Sequence, residues 1–183
     1  MLRPAVPLRN LHCGRRRSLG VTFRRVQSLP TVERQFDRTS VSLSQRMPSM
    51  PIPPAPVDRD TGVPEISLVM PCYNEEAIVG QTIRRTLAAF RESGHRLQLV
   101  AVDNGSSDRT GEIIREFVDA GYPVVAVRVE QNKGYGFGIL SGIPAATAPW
   151  IGFIPADSQV DAHETVHLYE EALACEEPVL AKA

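Results

Sequence analysis

The stretch WIGFIPADSQVD, Trp150–Asp161, decides how this chain is read. A short apolar run headed by an aromatic residue is the pattern of a buried strand, and it breaks at a Pro-Ala-Asp-Ser-Gln turn that lifts the Asp157 carboxylate out of the sheet edge. A carboxylate there can hold a metal ion. Two earlier strand ends, Pro71–Glu76 and Asp103–Asp108, are also polar and turn-forming. Three strand tips would then supply side chains to one crevice, which in open α/β sheets is where ligands bind. Any one of them alone reads as an ordinary polar turn. Three in register point to a site.

Upstream of this stretch the pattern is regular. ISLVMP at 66–71 is a continuous apolar run, as in a strand covered on both faces. Asn74 is placed to cap a helix with Glu75 and Glu76 in its first turn, where carboxylates complement the helix dipole. Its apolar residues Val79, Ile83, Leu87 and Phe90 recur at helical spacing, and Gly94 should stop it. LQLVAVD at 97–103 reads as a second strand, followed by a helix from about Gly111 to Ala120 with Ile113, Ile114, Phe117 and Val118 inward. VVAVRV at 124–129 is a third strand, and the glycine-rich QNKGYGFGILSGIPAATA leads through a small-residue helix to the strand at 150–154. A last helix is expected from about Ala162 to Cys175, with Val166, Tyr169 and Leu173 on one face, before PVLAKA at 178–183 begins another strand. Strands alternating with helices predict an α/β domain with a doubly wound, mainly parallel sheet. A domain ending in mid-strand reads as incomplete at its C-terminal end.

The N-terminal third has a different texture. Residues 1–60 carry seven arginines before the first acid, Glu33, and close on the Pro-rich MPSMPIPPAPVDRD at 47–60. Such a segment buries too little apolar surface to offset its ordering entropy, and it reads as disordered with a semi-rigid polyproline end. It has no continuous apolar core of a secretory signal. An organellar transit peptide, a start codon assigned upstream of Met47 or Met50, and a basic segment touching anionic lipid or nucleic acid all fit its composition. The domain proper is expected over residues 61–183.

The 183 residues are enough for one domain, and 43% hydrophobic residues are enough for its core. A formal net charge of -1 argues against a general nucleic-acid binder. Cys13, Cys72 and Cys175 are scattered, with no C-x-x-C pair, which suits a reducing, cytoplasmic setting and gives no metal-site spacing. No apolar run approaches the roughly 20 residues of a transmembrane helix, so any membrane contact of this chain is expected to be peripheral.

VMPCYNEEAIVGQTI at 69–83, VAVDNGSSDRTGEII at 100–114, NKGYGFGILSGIPAA at 132–146 and FIPADSQVD at 153–161 together resemble the nucleotide-binding half of family 2 glycosyltransferases. The resemblance is nearest to their dolichol-phosphate mannose synthase-like branch and covers about residues 65–183. It implies a GT-A fold, a nucleotide-diphosphate sugar as donor, an acceptor such as a polyprenyl phosphate, and transfer with inversion at the anomeric carbon. Breaking the donor's glycosidic bond leaves negative charge on the diphosphate, and a carboxylate-bound Mg2+ or Mn2+ would neutralise it. By resemblance Asp157 is the metal ligand, and Gln159, next to Ala156–Asp157, contacts the diphosphate or the metal shell. Pro71, Tyr73 and Glu75 would shape the floor under base and ribose, and Val102, Asp103 and Asn104 would hold the base edge. Two positions depart from the family: Asn104 stands where a second acid is frequent, and Pro155 where the acidic motif commonly carries an aspartate. The acceptor site and catalytic base belong, by the same resemblance, to sequence after residue 183, so this chain alone can also be read as a non-catalytic nucleotide-binding fragment.

Two motifs compete. GYGFG at 134–138 follows a strand and opens a helix, as a dinucleotide fingerprint of an oxidoreductase would, but the next glycine is Gly142 and the G-x-G-x-x-G spacing is absent. Close helix packing and a tight turn explain the same glycines. HETVH at 163–167 formally matches the H-E-x-x-H helix of zinc proteases, with His163 and His167 one turn apart and Glu164 beside them. No histidine follows His167 to complete a zinc site, and the polar outer face of a helix can carry the same residues.

Overall fold

A computed structural model describes residues 22–25, 62–175 and 181–182. The strands are β1 (Thr22–Arg25), β2 (Ile66–Cys72), β3 (Leu97–Asn104), β4 (Val124–Val129), β5 (Trp150–Phe153) and β6 (Ala181–Lys182), and the helices are α1 (Val79–Glu92), α2 (Thr110–Asp119), α3 (Tyr135–Gly142) and α4 (Ala162–Leu173). One sheet joins the strands in the order β4-β3-β2-β5-β1-β6. The four strands β4, β3, β2 and β5 are parallel, while β1 runs antiparallel to β5 and to β6.

This order contains a switch. From β2 the chain steps outward through α1 to β3 and through α2 to β4, then crosses back by α3 to place β5 on the other side of β2. The parallel strands β2 and β5 therefore end side by side at the point where the strand order reverses, and the carboxyl ends of the strands at such a point are where ligands of an open α/β sheet bind. The helices divide between the faces accordingly. Ile83 and Phe90 of α1, Ile114 and Phe117 of α2, and Val166 and Tyr169 of α4 form one core with Leu68, Met70, Leu99 and Ala101 of the sheet. On the other face Val69, Val100 and Val102 are buried beneath α3.

α3 lies on the sheet at a distance that only glycine permits. A Cβ on Gly142 would stand 2.5 Å from Val69 Cγ1 and 2.8 Å from Val102 Cγ2, and one on Gly138 would stand 2.9 Å from Pro71 Cβ. Gly138 of the GYGFG run and Gly142 beyond it thus serve close packing, Gly134 takes a positive φ (94°) at the turn into the helix, and the small-residue helix expected there is present. At the opposite end of the sheet, Ser67 Oγ donates to Gln98 Oε1 (2.6 Å) and the Thr147 amide donates to the same oxygen (2.9 Å). These bonds satisfy buried polar groups and tie the segment leading into β5 to β2 and β3.

Several sequence readings need correction. The first helix starts at Val79, not at Asn74, and no side chain caps it. Asn74 instead lies in the left-handed region (φ 54°), and its side chain accepts from Ser107 of the next loop. Val118 and Leu173 are exposed, because their helices present Ile114 and Phe117, and Val166 and Tyr169, to the core. The reading of residues 1–60 as wholly without packed structure fails at Thr22–Arg25, which pair with Phe153–Trp150 of β5. A strand edge left open by β5 offers backbone donors and acceptors that a short β-favouring segment can satisfy, whatever the composition around it. The remainder of that segment, including its Pro-rich end, lies outside the described residues.

Candidate functional site

The loops that follow β2 and β3 are tied into one unit. The Asn74 amide donates to Ser106 Oγ (3.1 Å), the Glu75 amide to Thr110 Oγ1 (2.8 Å) and the Glu76 amide to Asp108 Oδ2 (3.1 Å), while Arg109 N returns a bond to Glu76 Oε2 (2.9 Å). Asp108 also accepts from the Thr110 amide (3.0 Å) and hydroxyl (2.6 Å), which closes the first turn of α2. Partial burial works against its charge, but the Thr110 hydroxyl and the donated amides outweigh it, and its pKa is lowered. The polar tip at 103–108 is therefore spent mostly on architecture, as the turn-and-cap reading of those residues allowed.

Asp103 and Asn104 lie deeper than a base-reading pair would. Asp103 is 3% exposed, and both of its oxygens are engaged: Oδ1 accepts from the Ser106 amide (2.9 Å) and Oδ2 from Arg128 Nη1 of β4. α2 makes room for this ion pair with Gly111, where a Cβ would collide with Asp103 Oδ2 at 2.1 Å. Asp103 thus supports the crevice from beneath and offers no free acceptor at its surface. Asn104, 2% exposed, donates from Nδ2 to Asn132 Oδ1 (3.3 Å) and Gly134 O (3.1 Å). Its Oδ1 is buried without a partner. Pro71, Val102 and Ala156 are also buried, under Gly138, under Gly142 and behind Thr82, whose hydroxyl donates to Ala156 O (2.8 Å).

Four of the expected residues remain in reach of a ligand: Tyr73, Glu75, Asp157 and Gln159. Asp157 Oδ1 accepts from the Gln159 amide (3.0 Å), and Ser158 between them takes a left-handed backbone (φ 58°) with its hydroxyl against Thr82 Oγ1 (2.5 Å). That turn fixes Asp157 at the end of β5, across the switch point from Glu75 at the end of β2. Glu75 registers its neighbour: partial burial first, then the charge of Asp157 and of Asp108, push its pKa up. Two carboxylates on one crevice with mutual repulsion suit a hard divalent cation, which Mg2+-type sites hold with one or two carboxylates plus phosphate and water. Among the described residues no group of three His, Cys, Asp or Glu side chains could close a metal site without such outside ligands.

The same repulsion gives a pH prediction. A carboxyl whose pKa rises on folding holds its proton more tightly in the folded state, so its contribution is full below its ordinary value of 4.5 and is lost as pH rises through the raised value. Glu75→Gln is therefore expected to raise the thermal midpoint at pH 7 and to change it little at about pH 4. Melting curves at the two pH values check this, and equal gains at both would show that the charge of Glu75 is not the cause.

Cys72 is buried at the end of β2, as a small core residue, and burial pushes its thiol pKa up, so it is inert. The two histidines of HETVH are exposed on α4, which Asp161 caps by accepting from the His163 amide (2.8 Å), and His167 meets Glu170 (3.5 Å). Sequence reasoning passed over Arg128, Gly111 and Asn132. The signal for the first was an arginine breaking the apolar run VVAVRV.

Comparison with known proteins bears on this crevice directly. The model of the glycosyl transferase family 2 domain matches residues 67–176, from β2 to past the end of α4. The chain belongs to glycosyl transferase family 2. Its sheet is accordingly of the GT-A kind, and the oxidoreductase and zinc-protease readings of its glycines and histidines fall away. Among relatives, this family 2 chain is 37% identical over 108 residues to the undecaprenyl-phosphate 4-deoxy-4-formamido-L-arabinose transferase of Pseudomonas paraeruginosa, covering 58% of this chain and 32% of that protein. The transferase of the same name from Pectobacterium carotovorum is 35% identical over 111 residues, covering 60% and 34%. The chain spans about a third of the length of the curated relatives it matches. Similar solved structures include the mannosyltransferase of Pyrobaculum calidifontis in complex with GDP-Man and Mn2+ (22% identity, TM-score 0.47, 63% of this chain and 34% of that one). Another is the glucosyl-3-phosphoglycerate synthase of Mycobacterium tuberculosis in complex with Mn2+, UDP and phosphoglyceric acid (24%, 0.49, 62% and 40%).

Proposed function

We propose that this domain binds a nucleotide-diphosphate sugar in the crevice between β2 and β5, and that the transferase it serves passes the sugar, with inversion, to an acceptor such as a polyprenyl phosphate. The observation that carries the proposal is the opposition of Asp157 and Glu75 across the switch point of a family 2 sheet. Asp157 would hold Mg2+ or Mn2+ with Glu75 at its margin, and Gln159 would face the diphosphate. When bound, the cation would neutralise the charge that develops on the departing diphosphate. Tyr73 offers an exposed ring, a surface on which a flat base can lie. The relatives named as undecaprenyl-phosphate transferases support a lipid-phosphate acceptor. No helix among the described residues is long and apolar enough to cross a membrane, so the domain would meet such a lipid peripherally.

Calorimetric titration with UDP and with GDP, each with and without Mn2+, tests the donor reading. Binding is expected only with the cation, with a dissociation constant on the order of 1 mM, which corresponds to about 4 kcal/mol. Equal binding in its absence would remove the cation from the site, and no binding under either condition would remove the donor.

A further inference from the structure

The crevice contains one accessible side chain that the expected set omits. Tyr135 is the first residue of α3 and is held from both strand tips. Asn104 Nδ2 at the end of β3 donates to Gly134 O (3.1 Å), and Asn132 Oδ1 accepts from the Gly134 amide (2.8 Å). One turn further, Gly138 rests against Pro71 at the end of β2. The first turn of α3 therefore overhangs the ends of β2 and β3 and cannot swing away without breaking these contacts. Tyr135 is 48% exposed there, with its body against the protein and the rest open, and Tyr73 on the neighbouring tip is 47% exposed.

Chemistry selects what such a phenol can do. Its pKa is raised by partial burial and then by the negative charge of Asp157, so near neutral pH it is a neutral hydroxyl able to donate a hydrogen bond. Asp157 already takes the Gln159 amide, and the Lys133 ammonium lies 5.0 Å from the Phe137 ring on the same first turn. A hydroxyl donor within electrostatic range of the carboxylate proposed to hold the metal is suited to an oxyanion carried in with the cation.

We propose that Tyr135 is a donor-binding residue, its hydroxyl donating to an oxygen of the diphosphate whose cation Asp157 holds. The proposal rests on the donor-binding reading above and adds a residue and a contact to it.

The test compares the wild-type domain with Tyr135→Phe, which removes only the hydroxyl, and Tyr135→Ala, each titrated with UDP and with inorganic pyrophosphate in the presence of Mn2+. Tyr135→Phe is expected to weaken both ligands about tenfold, as loss of a charge-assisted hydrogen bond does, with an unchanged thermal midpoint. Tyr135→Ala should weaken them further. Wild-type affinity for both ligands in Tyr135→Phe would overturn the proposal while leaving the donor reading intact. A loss confined to UDP would also overturn it, because the contact would then lie at the base. If the wild-type domain itself binds neither ligand, the donor reading falls first and this contact with it.

Discussion

Replacing Asp103 with alanine is expected to destabilise the domain by about 3 kcal/mol, the lower end of what breaking a buried ion pair costs. The carboxylate sits 3% exposed between the ends of β3 and β4, and its removal abandons two donors, the Ser106 amide and the Arg128 guanidinium. Arg128 is half exposed and can turn toward water, which holds the effect at the lower end. Ser106 cannot turn so freely, because its hydroxyl accepts from the Asn74 amide and joins the two crevice loops. Asp103→Asn should lose less, since its amide oxygen can still accept from Ser106 while the ion pair is gone. Urea unfolding of the three proteins checks the order, and an alanine variant within about 0.5 kcal/mol of wild type would mean that the pair is not a structural anchor.

That anchor shows where the sequence stops being readable. The strands were legible because ISLVMP and LQLVAVD are runs buried along their whole length in a two-sided sheet, while VVAVRV at the edge is only partly buried, and the alternation of strands with helices gave the parallel sheet without its strand order. The start of α1 was not. Asn74, Glu75 and Glu76 have the composition of a helix N-terminus, and a local rule assigns them one. Their bonds go instead to Ser106, Ser107, Asp108, Arg109 and Thr110, roughly thirty residues on. The base-edge role of Asp103 is what the family resemblance implies, and the resemblance says nothing of the side chain's bonding partners. That Arg128 would claim it depends on the register Asp103↔Arg128 between β3 and β4 and on the missing side chain of Gly111, neither of which is a local property. The position of Asp157, partly exposed in the turn past β5, is legible because Pro-Ala-Asp breaks an apolar strand. Tyr135 was hidden in a glycine-rich run whose glycines drew the attention, and only the fold shows that its helix begins above the two strand tips.

Replacing Asp157 with alanine is expected to weaken nucleoside-diphosphate binding in Mn2+ by about 1.5–3 kcal/mol, a ten- to hundredfold loss, and to abolish its dependence on the cation. A diphosphate brings two or more negative charges to a crevice that already holds Glu75 and Asp157. Partial burial first, and then the charges of Asp157 and Asp108, push the pKa of Glu75 up. Without a metal the ligand is repelled, and a divalent ion on Asp157 reverses the local sign. Pro155 removes the neighbouring aspartate that the family commonly provides, so the loss of Asp157 leaves Glu75 alone of the two carboxylates proposed to flank the cation. A glutamate tethered through its own amide to Thr110 can share a cation but cannot replace the ligand on the other strand tip. The fold should be little affected, because Asp157 is partly buried and its hydrogen bond from the Gln159 amide lies within its own turn. Titration of UDP with and without Mn2+ into Asp157→Ala, alongside a melting curve, reads both quantities. A variant that still binds UDP better with Mn2+ than without it would place the cation elsewhere, and a variant that melts far below wild type would give Asp157 a structural role that its single turn bond does not predict.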